Sequence, residues 1–262
     1  MLSADDLKKV RIGTSGYSFE DWKGEFYPKD IQKGKMLDFY AQHFDTVEIN
    51  STYYRLLPQN VFFHMAQKTP EDFHFILKVH ADVTHKRKDP APSISALLEA
   101  VKPLAEAGKL KGFLAQFPYS FKNSPDNRNY LKQVRADLGD HKLFAEFRHK
   151  SWLTDKVLDG LKEYDIGYVS VDEPQVGLMM PPEAHVTNEV GYVRFHGRNE
   201  EAWYDRDKGD RYNYLYTEQE LGEWIPKIRL LESQASLTYL FFNNCHLGKA
   251  VKNAKMMKSL LE

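Results

Sequence analysis

Six short stretches of this chain end in side chains suited to acid-base or anion chemistry. They are Glu48 and Asn50 in TVEIN, Lys78 and His80 in FILKVH, Gln116 in FLAQF, Glu146 and Arg148 in LFAEFR, Asp172 in VSVD, and Arg194, His196 and Arg198 in YVRFHGR. The guanidinium forks of Arg148, Arg194 and Arg198 suit phosphate or carboxylate, and Gly197 would let a ligand come close to the backbone. This anion site is the strongest constellation in the sequence. Asn50, Gln116 and Asn243 are candidate neutral partners, and Tyr17, Trp22, Tyr53 and Trp152 could offer faces to a ring. Glu146 is the preferred general acid or base and Asp172 the second, with Glu48, Lys78 and His196 completing the candidate catalytic set.

Other chemistries fit the same residues less well. A glycosidase pair could combine Glu146 with Glu48 or Asp172, but the segments ending in Gln116 and Arg194 lack the carboxylates many sugar-cleaving barrels place there. Lys78 could form a Schiff base if burial and cations lowered its pKa. Glu48 and Glu146 are expected beside it, however, and carboxylates keep an amine charged, so its expected role is an ion pair. His80, His196, Asp172 and Glu146 could ligate a metal, but no H-E-x-x-H spacing supports this and three cationic side chains would repel a cation. No cofactor is expected, and a divalent metal is the minority reading. Cys245 beside His246 could suggest a thiolate, but neighbours on a strand end point apart, and a free buried thiol is the default.

Eight apolar segments must position these groups: Arg11 to Gly16, Thr46 to Asn50, Phe73 to His80, Lys111 to Phe117, Leu143 to Arg148, Gly167 to Asp172, Val190 to His196 and Leu237 to Asn243. Their β-branched and aromatic content reads as strand. Helical patterns lie between most of them. The clearest runs Ile94, Leu97, Leu98, Val101, Leu104, Ala105, with Ser93 as N-cap and Gly108 as stop. Thr217 and Glu220 read as a capping box, Ala250, Val251, Ala254 and Met257 as the apolar stripe of the last helix, and Pro103 and Pro226 as kinks. Strand alternating with helix eight times predicts a single (β/α)8 TIM-like barrel over residues 1–262. An open doubly wound sheet would want G-x-G-x-x-G after its first strand, which is missing. The sixth crossover, Glu173 to Glu189 with adjacent prolines at 181 and 182, cannot hold a proper helix and is expected to be irregular.

Alternation then assigns faces. Val47, Ile49, Phe75, Leu77, Val79, Phe113, Ala115, Phe117, Val169, Val171, Val193 and Phe195 would meet the helices. Glu48, Asn50, Lys78, His80, Gln116, Glu146, Arg148, Ser170, Asp172, Arg194 and His196 would point into the barrel, with Tyr239 and Asn243. Charge inside a barrel usually filled by aliphatics marks either a site or a buried ion-pair network. At the same end, Trp203, Tyr204, Tyr212 and Tyr214 lie in a long stretch, 197–216, that reads as a lid or binding loop, and His85 to Lys88 form a basic loop.

Composition narrows the partners. In 262 residues, 36 Lys and Arg oppose 37 Asp and Glu for a net charge of -1, so no overall field draws the chain to nucleic acid or anionic membranes. Cys245 is alone, which excludes an intramolecular disulfide and suits a reducing compartment. The start, MLSADDLKKV, has no apolar stretch of signal-peptide type, and the protein is read as cytoplasmic with no membrane role.

The blocks GTSGYSFEDWKGEFYP, FDTVEINSTYYRLLP, AEFRHKSW, YVRFHGR and FFNNCHLGKAVKNA, spanning Gly13 to Ala254, resemble the domain of unknown function 72 family, the YecE-like proteins. The resemblance implies a TIM-like barrel and no established activity. Distant similarity of such barrels to the endonuclease IV and xylose isomerase group suggests phosphate or nucleic-acid chemistry by analogy of fold. Cys245 departs from the acidic or hydroxyl residue often found after the paired asparagines, which argues against an essential thiol. The expected function is an enzyme, a hydrolase, lyase or isomerase, acting on a small anionic or phosphorylated ligand. The alternatives are a non-catalytic module for nucleic acid or anions, or an endonuclease IV-like metal-dependent hydrolase.

Overall fold

The computed structural model describes residues 9–204 and 210–262. Among these residues, nine parallel strands alternate with helices except from β6 to β8: β1 Val10–Thr14, β2 Thr46–Ile49, β3 His74–Lys78, β4 Leu110–Gln116, β5 Leu143–Glu146, β6 Ile166–Tyr168, β7 Ser170–Asp172, β8 Val190–Phe195 and β9 Leu237–Phe242. They pair in the orders β2-β3-β4-β5-β6 and β1-β9-β8-β7. β6 and β7 are one predicted strand, interrupted at Val169, whose N–H still donates to Ala145 O at 3.0 Å. That strand joins the two sheets on one side.

On the other side β1 meets β2 without a backbone ladder. Tyr40 takes its place, its hydroxyl accepting from Thr14 N at 3.0 Å and donating to Thr46 O at 3.0 Å. Gly13 makes the approach possible, because a Cβ there would stand 2.3 Å from Thr46 O. The result is the eight-staved barrel expected, with its helices outside and its polar strand ends on one face.

The helices follow their sequence signals with three differences. The helix from Ala91 starts at an N-cap Pro90, not Ser93, and ends at Ala100 before a second begins at Lys102, since Pro103 fits a first turn but not a helix interior. Likewise the capping box of Thr217 and Glu220 opens only Glu218–Gly222, and Pro226 starts a new helix, Ile225–Gln234. The last helix, Lys249–Leu261, buries the predicted Ala250, Val251, Ala254 and Met257. No helix forms between Asp172 and Val190, as the prolines dictate, and a short one, Glu201–Tyr204, lies in the stretch expected to be loop. Among the described residues, no helix is long and apolar enough to cross a membrane.

Register fixes the faces. Glu48 pairs with Ile76, Gln116 with Glu146, and Tyr192 with Tyr239, all on the interior side. The phase of the sixth predicted strand is the reverse of the expectation. Val171 pairs with the inward Arg194 and Asp172 with the outward Phe195, so Val169 and Val171 face inward while Ser170 and Asp172 face the helical shell. The apolar-outward rule failed here because Gly167 and the two valines give room to the inward Phe144 ring, and a Cβ on Gly167 would stand 2.5 Å from it.

Candidate functional site at the barrel mouth

Arg194 is the hub of the interior and is 1% exposed. Its Nη2 donates to Glu48 Oε1 at 2.6 Å, and its Nη1 donates to Glu146 Oε2. Tyr192, two residues earlier on the same face, donates to the second Glu48 oxygen at 2.6 Å. One step toward the mouth, Arg148 Nη2 lies 2.6 Å from Glu146 Oε1, and Arg148 Nη1 donates to Glu173. The carboxylates and guanidiniums thus form one chain: Glu48, Arg194, Glu146, Arg148, Glu173. An unpaired charge there would be costly, and each member offsets its neighbour's desolvation.

His196 sits beside this chain, its Nε2 3.2 Å from Glu146 Oε1 and its Nδ1 3.0 Å from Asn243 Nδ2. Arg148 Nη2 also lies 3.1 Å from Nε2, so the neutral ring either donates from Nε2 to Glu146 or accepts there from Arg148, according to its tautomer. Burial, reinforced by Arg148, brings its pKa down to about 3, so the ring is neutral. For Glu146, burial favours the acid form, but Arg148, Arg194 and His196 together hold it well below the usual carboxylate range. It is a poor proton donor. Glu173 behaves oppositely: burial, with Glu146 adding to it, pushes its pKa up to about 7 against the pull of Arg148.

Lys78 is the surprise of the mouth. Its expected partners Glu48 and Glu146 are engaged by the arginines, and its amine bonds only the neutral Gln116 Oε1, at 2.8 Å, among the described residues. The Tyr53 ring lies beneath it, 4.4 Å from the nitrogen. Burial, then the charge of Arg194, lowers its pKa to about 7, although Glu146 and Glu48 oppose the shift. The expectation of an ion pair is therefore overturned, because two arginines outcompete one lysine for the two carboxylates.

Asp172 and Arg198 also lie elsewhere than expected. Facing the shell, Asp172 accepts from Arg198 Nε at 2.9 Å, Arg198 Nη2 at 2.8 Å, Tyr216 Oη at 2.7 Å and Trp224 Nε1 at 2.7 Å. Arg198 also meets Glu220 and Glu223, and shares no partner with Arg148. This cluster anchors the long loop to the helices. Gly197 serves the same packing: at φ +93° its missing Cβ leaves room for Tyr214, and its N–H donates to Tyr216 Oη at 2.8 Å.

The aromatics divide. Trp22 is fully buried, donating to Cys245 O at 2.6 Å, and Trp152 donates to Phe121 O at 2.6 Å while stacking on Phe147, so both are packing residues. Tyr17 packs toward Tyr40 in the shell. Tyr53 is at the mouth, as are Trp203, 5.6 Å from the Arg148 guanidinium, and Tyr212, 6.4 Å from the His196 ring. Asn50 is partly exposed with its Oδ1 unpartnered, its Nδ2 reaching Ser15 O at 3.4 Å. Burial pushes the Cys245 thiol up, so it is not a thiolate. Among the described residues, no group of three or more His, Cys, Asp or Glu side chains is placed to hold a metal ion. Glu173 was missed in the sequence. It continues the odd-numbered inward phase of Gly167, Val169 and Val171, a signal hidden once that phase was inverted.

The fold and site together define a TIM-like barrel with a carboxylate-guanidinium chain buried beneath its polar mouth. The chain belongs to the family described as protein of unknown function DUF72, whose pattern matches residues 11–262. The UPF0759 protein YunF of Bacillus subtilis (strain 168) is 32% identical over 270 residues, covering 97% of this chain and 95% of that protein. A DUF72 family protein of Thermotoga maritima MSB8 superposes with a TM-score of 0.88 at 39% identity, covering 96% of this chain and 98% of the other. One from Enterococcus faecalis V583 gives 0.86 at 29% identity, over 96% and 95% of the two chains.

Proposed function

We propose that the protein is an enzyme that binds a small anionic or phosphorylated compound at the C-terminal mouth of the barrel and transforms it by proton transfer, as a hydrolase, lyase or isomerase. The observation that carries this reading is Lys78, a mouth-level amine beside Arg148 and Arg194 with a neutral amide as its hydrogen-bond partner. An anion docked there would supply the counter-charge that Glu48 and Glu146 give to the arginines. Asn50, Gln116 and Asn243 add neutral contacts, and Tyr53 and Tyr212 offer faces for a ring or apolar body, Trp203 being buried against Arg148 and Arg211. Glu173, with a pKa of about 7, replaces Glu146 as the preferred acid or base, because a catalyst is most effective when its pKa lies near the working pH. A chain with one cysteine supports a reducing, cytoplasmic setting.

Calorimetric titration with inorganic phosphate, sulfate and nucleotides tests the reading. Lys78→Gln should weaken a bound anion at least about tenfold, since truncating one partner of a buried charge pair costs about 2–5 kcal/mol. Arg87→Ala should change affinity little, because its guanidinium packs on the Phe121 ring. No binding by the unaltered protein, or equal losses from both substitutions, would reject the site.

A further inference from the structure

We propose that Lys78 is an imine-forming nucleophile, condensing with the carbonyl carbon of an aldehyde or ketone that also carries a carboxylate or phosphate. The inference rests on the anion-binding reading above and specifies the chemistry performed there. Three features of the mouth support it. The nearby carboxylates are taken: Glu48 by Arg194 and Tyr192, and Glu146 by Arg194 and Arg148. The amine is aimed, because Gln116 Nε2 donates to Phe117 O at 2.8 Å, which fixes the amide so that its oxygen faces Lys78. Tyr53 covers the amine on a further side, its ring centroid 4.4 Å away.

The groups around Lys78 come from every neighbouring element: Glu48 and Tyr53 from β2 and the turn after it, His85 after β3, Gln116 from β4, Glu146 and Arg148 from and beyond β5, and Arg194 from β8. His85 is exposed, and partial desolvation with the charge of Lys78 lowers its pKa, which disfavours a second cation beside the amine. Burial and the arginines therefore favour the free amine. About half of it is available near neutral pH, against roughly one part in a few thousand for an ordinary lysine.

The chemistry balances without an oxidant or metal. The Nζ lone pair attacks the carbonyl carbon, the carbonyl oxygen acquires the proton that Nζ gives up, and a carbinolamine results. With one proton from solvent its hydroxyl leaves as water, giving an iminium whose remaining N–H can still donate to Gln116. An anionic substituent on the same compound would lie toward Arg148.

Glyoxylate with cyanoborohydride at neutral pH, followed by peptide mapping, tests the inference on the intact protein. Lys78 should be labelled at least about tenfold faster than any other lysine, as its larger free-amine fraction dictates. Inorganic phosphate should slow that labelling. Lys78→Arg, checked for an unchanged melting curve, should abolish the leading adduct. Preferential labelling that phosphate fails to slow would support imine formation while removing the anion site beneath it. Labelling of Lys78 no faster than that of surface lysines, with phosphate still binding by calorimetry, would overturn the inference and leave the anion site standing.

Discussion

Removing the Glu48 carboxylate would take one acceptor from Arg194 and the acceptor of the Tyr192 hydroxyl together. All three side chains are at or below 1% exposure, so water cannot take over those bonds cheaply. Breaking a buried pair by removing one partner costs about 3–5 kcal/mol, and Glu48→Ala should fall in that range by urea denaturation. Glu48→Gln keeps an acceptor for one donor and should cost less. Equal stability of Glu48→Ala and the unaltered protein would mean that the network contributes nothing to the fold. The same reasoning separates Glu146 from Glu173. Glu146 is shared by two guanidiniums and stays ionised, whereas Glu173, with one guanidinium and the Met180 N–H, can hold or release a proton near neutrality.

The junction of β1 and β2 is the element most sensitive to a single methyl group. Gly13→Ala would drive a Cβ to 2.3 Å from the Thr46 carbonyl oxygen, a backbone atom that cannot swing aside. Such overpacking costs typically about 1–3 kcal/mol, and the melting temperature should fall accordingly. Gly160, inside the helix Asp155–Glu163, should behave oppositely, because a methyl group added there would meet nothing within 4 Å. Gly160→Ala should stabilise by about 0.5–1 kcal/mol, since alanine loses less backbone freedom in a helix. Much of this architecture was legible in the sequence. Two-residue alternation alone placed Glu48, Lys78, Glu146 and Arg194 on one interior face, because in those strands the outward partners are apolar and must meet helices. It failed at Asp172, where no helix covers the crossover and valines fill the interior beside Phe144. It could not foresee the partner of Lys78 either. Which carboxylate pairs with which cation depends on heights along neighbouring staves, and register is not written in any one strand.

Across the whole molecule, acid should act through histidines held neutral. Burial brings both His74 and His196 down to about 3. Because these folded-state values lie below the unfolded value, their contribution is complete above about 6.5 and is lost as pH falls through 6.5 toward the folded values. Glu173 runs the other way: with its pKa raised from 4.5 to about 7, its contribution is complete below 4.5 and is lost as pH rises through 7. Denaturation at several pH values should show His196→Gln with a shallower acid slope, by at most about 1.4 kcal/mol per pH unit. Glu173→Gln should lose the opposing slope between the two carboxyl values. Lys78 has the sign of the histidines in a higher window, because an amine lowered to about 7 makes stability rise with pH from there to 10.5.

The claim on which the functional account turns is that the Lys78 amine is poised and awaits an anion. Carbon-detected NMR of protein labelled at lysine Cε, with Lys78 assigned by its loss in Lys78→Arg, reads that amine directly. The amine should titrate near 7 in the free protein and shift to higher pH when phosphate or a phosphorylated ligand saturates the mouth, since an anion favours the ammonium form. A midpoint at the ordinary lysine value of about 10.4, unmoved by any anion, would contradict it.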